Sequence, residues 1–425
     1  MKHKDVVVLG AGMIGVCSAL ALQKKGLQVT LIDSAKPGSE TSFGNAGIIT
    51  PSSLIPINNP RLIKALPGFM GNKSAGFRYN LNYAFSEMMT LLQFLSFAKE
   101  TSTKQRVHSL YQLIERSTEL HIQQADKANC AEKLRFSGWL KLYRQAKTYH
   151  NARYEQDIYQ QYNVSTKVLD NDEILTVEPR LKAIYQKAVL IEDALSVASP
   201  SALVNGYADE FVRGGGQLLQ LQVESIQQQD TRWILESSGL ESSDLKNSDS
   251  EQSISCKQLV IAAGPWSKQL LEQLGMKLPM LFERGGHREY VNTQTTALSL
   301  PIHDIEGSFV ASPTANGLRV SCGVELNHHL AKHSNTQLDI AEHNARQGLT
   351  FGDSHVSQWQ GARPTMPDSL PVIGASKLAG LWLNTGHQHI GFSTGPGSAE
   401  ILANLVCAQP CDDFAKAFSP QRFGL

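Results

Sequence analysis

Apolar positions along the chain fall into two rhythms, one of strands and one of helices. Residues 4–9 form a short run rich in Val, as a buried parallel strand requires. Residues 13–25 are rich in Ala and Leu and are closed by Gly26, which predicts a helix. Residues 29–32 are a second β-branched run and end on Asp33. Residues 54–125 read as helical behind a preface of Pro56, Pro60, Pro67, Gly68 and Gly71. Within them Phe85, Met88, Met89, Leu92 and Leu95 make one strongly apolar helix. Val107, Leu110, Leu113, Ile114 and Leu120 line one face of a second. Two readings stay open there. One is a buried helix pair; the other is contact with a membrane surface or partner through Phe69, Phe77 and the first helix.

Shorter signals fill the rest. Strands are predicted over 134–143, 188–191, 218–223, 233–237 and 258–266, the last running into a turn of small residues. A hairpin joins 309–311 to 318–322, and two further strands lie at 372–374 and 381–384. Helices are predicted over 148–162, 170–178, 196–212, 267–274 and 338–349. A glycine-rich turn over 386–397 leads into a last helix from 398 to about 407. Residues 237–255 hold Ser, Asp and Glu with no core residues, which predicts a hairpin tip or a partly disordered insertion.

The first elements enclose chemistry. Between the first strand and helix stand Gly10, Gly12 and Gly15, spaced G-x-G-x-x-G. Gly10 allows a tight turn, Gly12 lets the backbone approach a pyrophosphate, and Gly15 lets helix and sheet pack closely. The helix N-terminus offers free N–H groups and a partial positive charge. Asp33 lies where a carboxylate accepts from ribose hydroxyls and repels a 2′-phosphate. Strand, turn, helix and acid together predict an adenine dinucleotide site, without separating NAD from FAD. The Ser-, Thr-, Gly- and Asn-rich stretch after Asp33 is either a wrap around that cofactor or a mobile surface loop.

Composition narrows the classes. The chain has 425 residues, which favours two domains. Its 39 basic and 39 acidic residues balance, so no field draws nucleic acid or acidic lipid. The six cysteines are scattered without a C-x-x-C pair, and Cys407 and Cys411 have no His/Cys cluster beside them. No metal site is predicted, and reduced thiols point to a cytoplasmic protein. The apolar stretch 6–22 resembles a signal sequence or short span but is better explained by the strand and helix of the fingerprint.

Four segments carry a resemblance. They are GAGMIG with Asp33, ETSFGNAGIITPS over 40–52, VIAAGPWS over 260–267, and GARPTMPDSLPVIG followed by LWLNTGHQHIGFSTGPGSAEIL. Together the chain resembles the D-amino-acid oxidase (DAO) superfamily of FAD-dependent oxidoreductases, closest to the D-amino-acid dehydrogenase small-subunit branch. The resemblance implies an α/β fold with an α+β second domain: a Rossmann-type βαβ domain for FAD and a discontinuous, sheet-based substrate domain. The FAD domain would comprise 1–53, 195–275 and 355–425; the substrate domain would comprise 54–194 and 276–354, with a helical segment at 60–125. Residues carried across for the ADP half are Gly10, Gly12, Met13, Ile14, Gly15, Asp33, Ser34, Val223, Ala262, Ala263, Gly264 and Trp266. Those for the phosphates and flavin are Thr41, Ser42, Asn45, Ala46, Gly47, Ile48, Arg363, Gly386, His387, Ile390, Gly391, Phe392, Ser393 and Thr394.

An amino-acid substrate brings a carboxylate, which Arg binds through two parallel hydrogen bonds. Arg363 is the first candidate and Arg288 the second, with Tyr290, His287 and His387 as further catalytic candidates. The competing reading for the two arginines is an ion pair, with Asp368 or Glu289. The implied reaction is hydride transfer from Cα to flavin N5, giving an imine that hydrolyses to a keto acid and ammonia. The implied substrate is a D-amino acid or cyclic imino acid, with a quinone or other redox partner taking the electrons. Alternatives are an oxygen-using glycine/sarcosine-type oxidase, a flavoprotein that modifies or binds a partner protein, and an NAD-dependent dehydrogenase. A peripheral membrane contact, or contact with a protein, would fit the dehydrogenase reading with its quinone or other redox partner.

Overall fold

The computed structural model describes residues 2–238, 253–291, 297–315 and 317–425. One sheet of eight strands holds the two ends of the chain together. Its order runs Gln217–Gln220, Val29–Asp33, Lys2–Leu9, Ser253–Ile261, Arg232–Ser238, Gln222–Gln229. Leu381–Thr385 adds in parallel to Ser253–Ile261, and Val372–Ala375 pairs with it in turn. The central strand explains its sequence: Val6, Val7, Val8 and Leu9 are all buried because both faces are covered, Val6 and Val8 with the helices Met13–Lys24 and Gly391–Val406, Val7 and Leu9 with Ile226, Trp233, Leu235 and Leu271. A second sheet of ten strands is built around the long pair Leu281–Val291 and His355–Thr365. A small third sheet joins Ile48–Ile49, Leu195–Val197 and Leu134–Phe136.

The strand His355–Thr365 therefore lies in the larger sheet, although residues 355 onward were grouped by sequence with the cofactor domain. Other boundaries also move. The stretch 134–143 divides at Gly138 (φ +67°), because its halves, Leu134–Phe136 and Trp139–Tyr143, join different sheets. The helix expected over 148–162 breaks into Ala146–Asn151 and Arg153–Gln161. The one expected from 196 starts at Pro200, capped by Ser199, and residues 195–197 are strand. The short helix Asn171–Val177 is capped by a reciprocal box of Asp170 and Glu173. The polar stretch 237–255 lies mostly outside the described residues.

The largest difference is at the C-terminus. The glycine-rich segment is not a turn up to 397: the helix begins at Gly391 and runs to Val406. Its glycines serve packing. A Cβ at Gly395 would lie 2.8 Å from the Met13 side chain, and one at Gly397 would lie 2.3 Å from Ser117 Oγ. Pro396 removes the N–H that the Phe392 carbonyl would accept in a regular helix. His121 replaces it, with Nε2 2.8 Å from that carbonyl, while Ser117 Oγ accepts from Gly397 N at 3.0 Å. Ser117 and His121 are one turn apart on the helix Glu100–Lys127, so one face of that helix repairs the break. A carbonyl only accepts, so His121 carries its proton on Nε2, and burial pushes its pKa down to about 4.

Of the two readings for 54–125, the buried one holds for the long helix and fails for the apolar stretch before it. Val107, Leu110, Leu113 and Ile114 of the long helix are core residues. The apolar stretch before it is two short helices, Leu81–Ser86 and Met88–Ser96, and it is not buried. Leu81, Phe85 and Met89 are 71%, 79% and 77% exposed, because the inner side of these helices is filled by Tyr83 and Phe94 with Leu91 and Leu95 beside them. Among the described residues no helix is long and apolar enough to cross a membrane.

Two outcomes follow for stability. His121→Phe leaves the Phe392 carbonyl without a donor and should lower unfolding free energy by about 1–3 kcal/mol, measured in urea; no loss would contradict the repair. In the wild type the His121 pKa is lower folded than unfolded, so the unfolded chain takes the proton first. The histidine's contribution is intact above about pH 6.5 and is lost as pH falls toward 4. The thermal midpoint should fall over that window, and less steeply in His121→Gln; equal slopes would count against it.

Candidate active site

A cavity of about 680 Å³ lies between the eight-stranded sheet and the larger one. Four parts of the chain meet in it. From the first come Gly10, Gly12, Met13, Ile14, Asp33 and Ser34, where strand ends give way to turns. Gly10 has φ +108°, and a Cβ there would lie 2.6 Å from the Ala262 carbonyl, so no side chain fits. Asp33 accepts from Ala11 N at 2.5 Å and Ala35 N at 2.9 Å, which fixes its carboxylate across the turn. Val223, Ala262, Ala263, Gly264 and Trp266 complete this end.

The loop after Asp33 supplies Thr41, Ser42, Asn45, Ala46 and Ile48 to the lining. It is a wrap, held at both sides. Ser42 Oγ accepts from Met13 N at 2.9 Å and so caps the fingerprint helix. Arg319 donates to the carbonyls of Phe43 (2.8 Å) and Asn45 (2.5 Å), and pairs with Glu289 at 2.8 Å. The C-terminal segment adds Gly386, His387, Gly391, Phe392 and Ser393 at the start of its helix. The larger sheet adds Gly285, Trp359, Gly361 and Arg363.

Four predicted residues stand just behind the wall. Gly15 would clash with the Gly10 carbonyl if it had a Cβ, and Gly47 (φ +72°) with that of Val197. Ile390 is buried before the C-terminal helix, and the Thr394 hydroxyl donates back to its carbonyl at 3.0 Å. These support the lining without touching the cavity.

The candidates His287, Arg288 and Tyr290 are where the sequence reading needs correction. Side chains alternate along Leu281–Val291, and Gly285 faces the cavity. Arg288 and Tyr290 therefore point to the far side. Arg288 is tied to Asp339 and Glu342, both at 2.8 Å, so it has no fork to spare for a substrate. Tyr290 is fully buried against Phe351, with ring centroids 4.6 Å apart. His287 shares the parity of Gly285 but is covered, lying between Phe43 (5.4 Å) and Trp359 (5.7 Å). Burial, then Arg319, pushes its pKa down to about 3.

Arg363 differs. Asp368, its expected partner, pairs instead with Arg422 at 2.6 Å. Glu283 is the residue directly across the strand pair, deeply buried, with burial raising its pKa and Arg363 opposing that rise. Among the described residues no acceptor hydrogen-bonds the Arg363 guanidinium, and Arg363 lines the cavity. His387 and His389 line the cavity too, and burial lowers them to about 3 and 4, so both are neutral. Asn384 Oδ1, His387 Nε2, Gln388 Nε2 and Ser321 Oγ belong to lining residues but are themselves buried, without a partner among the described residues. Sequence reasoning missed Arg319, Trp359, Trp139 and Ser321; the alternation Trp359, Gly361, Arg363 along one strand was the available signal for the second of them.

Comparison with known proteins fits this geometry. Residues 5–405 match the family described as FAD dependent oxidoreductase (DAO). The chain is 27% identical to a D-amino-acid oxidase of Bradyrhizobium diazoefficiens, over 99% of each chain. It is also 27% identical to a D-amino acid dehydrogenase of Rhizobium rhizogenes, over 99% of this chain and all of that one. Among solved structures, L-proline dehydrogenase from P. horikoshii superposes with a TM-score of 0.74 at 17% identity, covering 99% of this chain and 98% of that one. Glycine oxidase from Geobacillus kaustophilus gives 0.72 at 18% identity with the same coverage. The chain belongs to the FAD dependent oxidoreductase (DAO) family.

Proposed function

We propose that this protein oxidises a D-amino acid or a cyclic imino acid, with Arg363 holding the substrate carboxylate. The observation that carries the reading is the Arg363 guanidinium, which hydrogen-bonds to no acceptor among the described residues and lines the cavity. The names of the relatives, D-amino-acid oxidase and D-amino acid dehydrogenase, agree with it.

The residues present fit FAD. Gly10 and Gly12 bring bare backbone to the cavity beside the N-terminus of the Met13 helix, as the approach of a pyrophosphate requires, and a Cβ at Gly10 would have no room. The fingerprint segment with Val223 and 262–266 would hold the ADP half. The 41–48 loop and the start of the C-terminal helix would hold the flavin. When bound, FAD would supply the acceptor for the hydride, one proton with two electrons, that leaves Cα. Arg363 fixes the carboxylate through paired hydrogen bonds and thereby sets the orientation of Cα. The N-terminus of the helix Gly391–Val406 presents its partial positive charge toward any negative charge that develops there. With His387 and His389 neutral, no imidazolium beside the amine opposes its approach. The imine from a primary amino acid needs only water to give a keto acid and ammonia, whereas that from a cyclic imino acid opens with water to an amino keto acid.

A quinone or another acceptor besides oxygen fits the outward face of Leu81, Phe85, Met88, Met89 and Leu92, which suits a lipid or partner surface. Oxygen as acceptor is favoured instead by the relative named an oxidase.

Anaerobic holoenzyme mixed with D-amino acids and proline analogues should lose its yellow absorbance with at least one of them. A flavin that stays oxidised across the panel contradicts the reading. Peroxide formed well below one per substrate in the presence of a quinone analogue supports the non-oxygen acceptor, and stoichiometric peroxide rules it out. Arg363→Gln should raise KM for the reducing substrate by roughly 10- to 100-fold, the loss of one charge-assisted pair, with Arg363→Lys between. An unchanged KM removes Arg363 from the carboxylate site.

A further inference from the structure

We infer that Trp359 forms the subsite for the substrate's side chain, and that this subsite takes an uncharged side chain with appreciable apolar surface. The inference rests on Arg363 as the carboxylate anchor and names the substrate class of that same site.

Trp359, Gly361 and Arg363 lie at alternate positions of the strand His355–Thr365 and all line the cavity. Gly285 faces Gly361 directly on the neighbouring strand and lines the cavity as well. Both glycines are needed for the same reason. A Cβ on Gly361 would lie 2.4 Å from the Trp359 indole, and a Cβ on Gly285 would lie 2.6 Å from Arg363 Nη1. The two large side chains thus lie down over a floor of two glycines. Their Cα atoms are about 13 Å apart along the strand, and each leans toward the other. Between guanidinium and indole the site has the form of a slot with one charged end and one aromatic end.

The indole is fixed in place. It stacks on His287 at 5.7 Å and 21°, and meets Phe43 edge-on at 6.4 Å. On the side of the 41–48 loop it presses on Gly44, where a Cβ would fall 1.9 Å from the ring. Those contacts leave it half-buried, with the remaining surface on the cavity.

Charge sets the class. Among the described lining residues the acids are Asp33, Glu40 and Glu224, and Arg363 is the one Lys or Arg. Asp33 belongs to the adenosine turn, Glu40 is close enough to feel its charge, and Glu224 adjoins Val223. The remaining walls near the slot, such as Val310, Cys322 and Trp139, are neutral. A second carboxylate or an ammonium on the substrate would enter without a partner and lose its hydration. An aromatic or branched apolar side chain would instead gain contact with the indole.

The test is calorimetric titration of the oxidised holoenzyme with three unreactive carboxylates: acetate, benzoate and terephthalate. Each is run on wild type, Trp359→Ala and Arg363→Gln. The inference expects benzoate to bind wild type at least about 10-fold more tightly than acetate and than terephthalate. It expects Trp359→Ala to erase most of the benzoate gain while leaving acetate within about 3-fold. Trp359→Phe should retain part of the gain. Equal benzoate affinity in wild type and Trp359→Ala overturns the indole subsite, and preference for terephthalate overturns its neutrality. Carboxylate binding that Arg363→Gln leaves unchanged is a separate result: it overturns the anchor, and the subsite with it. In turnover, wild type should favour D-Phe or D-Leu over D-Glu and D-Lys, and a preference for either charged substrate overturns the inference.

Discussion

The structure depends on one close approach, that of the C-terminal helix to the fingerprint helix. Gly395 allows it against Met13, and Gly397 allows the same helix to rest on Ser117 of the long helix Glu100–Lys127. Proline within the helix opens its hydrogen-bond ladder, and Ser117 and His121 close it from outside. The result is an N-terminus at Gly391 brought beside the one at Met13, with residues of both segments lining one cavity. Chain ends nearly 380 residues apart in sequence act as one wall. Neither helix could bury its apolar side in this way if Gly395 or Gly397 carried a large side chain.

A second tie joins that wall to the substrate side. Arg319 is buried, paired with Glu289, and donates to two carbonyls of the loop that follows Asp33. A buried ion pair contributes little net stability unless its remaining donors are satisfied, and here the carbonyls of Phe43 and Asn45 satisfy them. The pair thereby sets the loop's position against the larger sheet. The charges of residues 283–290 are mostly engaged in such positioning: Glu289 through Arg319, and Arg288 through the helix Thr336–Gly348. Arg363 hydrogen-bonds to no acceptor among the described residues, and the proposed function assigns it to the substrate carboxylate.

What could be read from sequence follows from the range of the forces involved. The first 33 residues were legible because the turn, the helix start and the acid constrain each other locally. The DAO resemblance extended this to the loop and the C-terminal segment. The segment 386–397 was misread because Gly and Pro disfavour a helix in isolation; the donor and acceptor that sustain it lie some 275 residues away on another element. Arg288 and Tyr290 were misassigned because the parity of a strand decides which face a side chain takes, and nothing local told which parity faced the cavity. Gly285 and Gly361 mark that parity once they are seen to be opposite each other. The outward apolar face at Leu81–Ser86 and Met88–Ser96 was undecidable, since the same pattern serves core and surface contact.

The account's central claim is that the two ends of the chain form one FAD site through the contact at Gly395. The most direct measurement is the FAD content and FAD dissociation constant of purified Gly395→Val beside the wild type, with helicity checked by circular dichroism. The account predicts about one FAD per chain for the wild type. In the variant it predicts affinity at least about 10-fold weaker, although the substitution is remote in sequence from the fingerprint. A helical variant that retains one FAD per chain with wild-type affinity would contradict it.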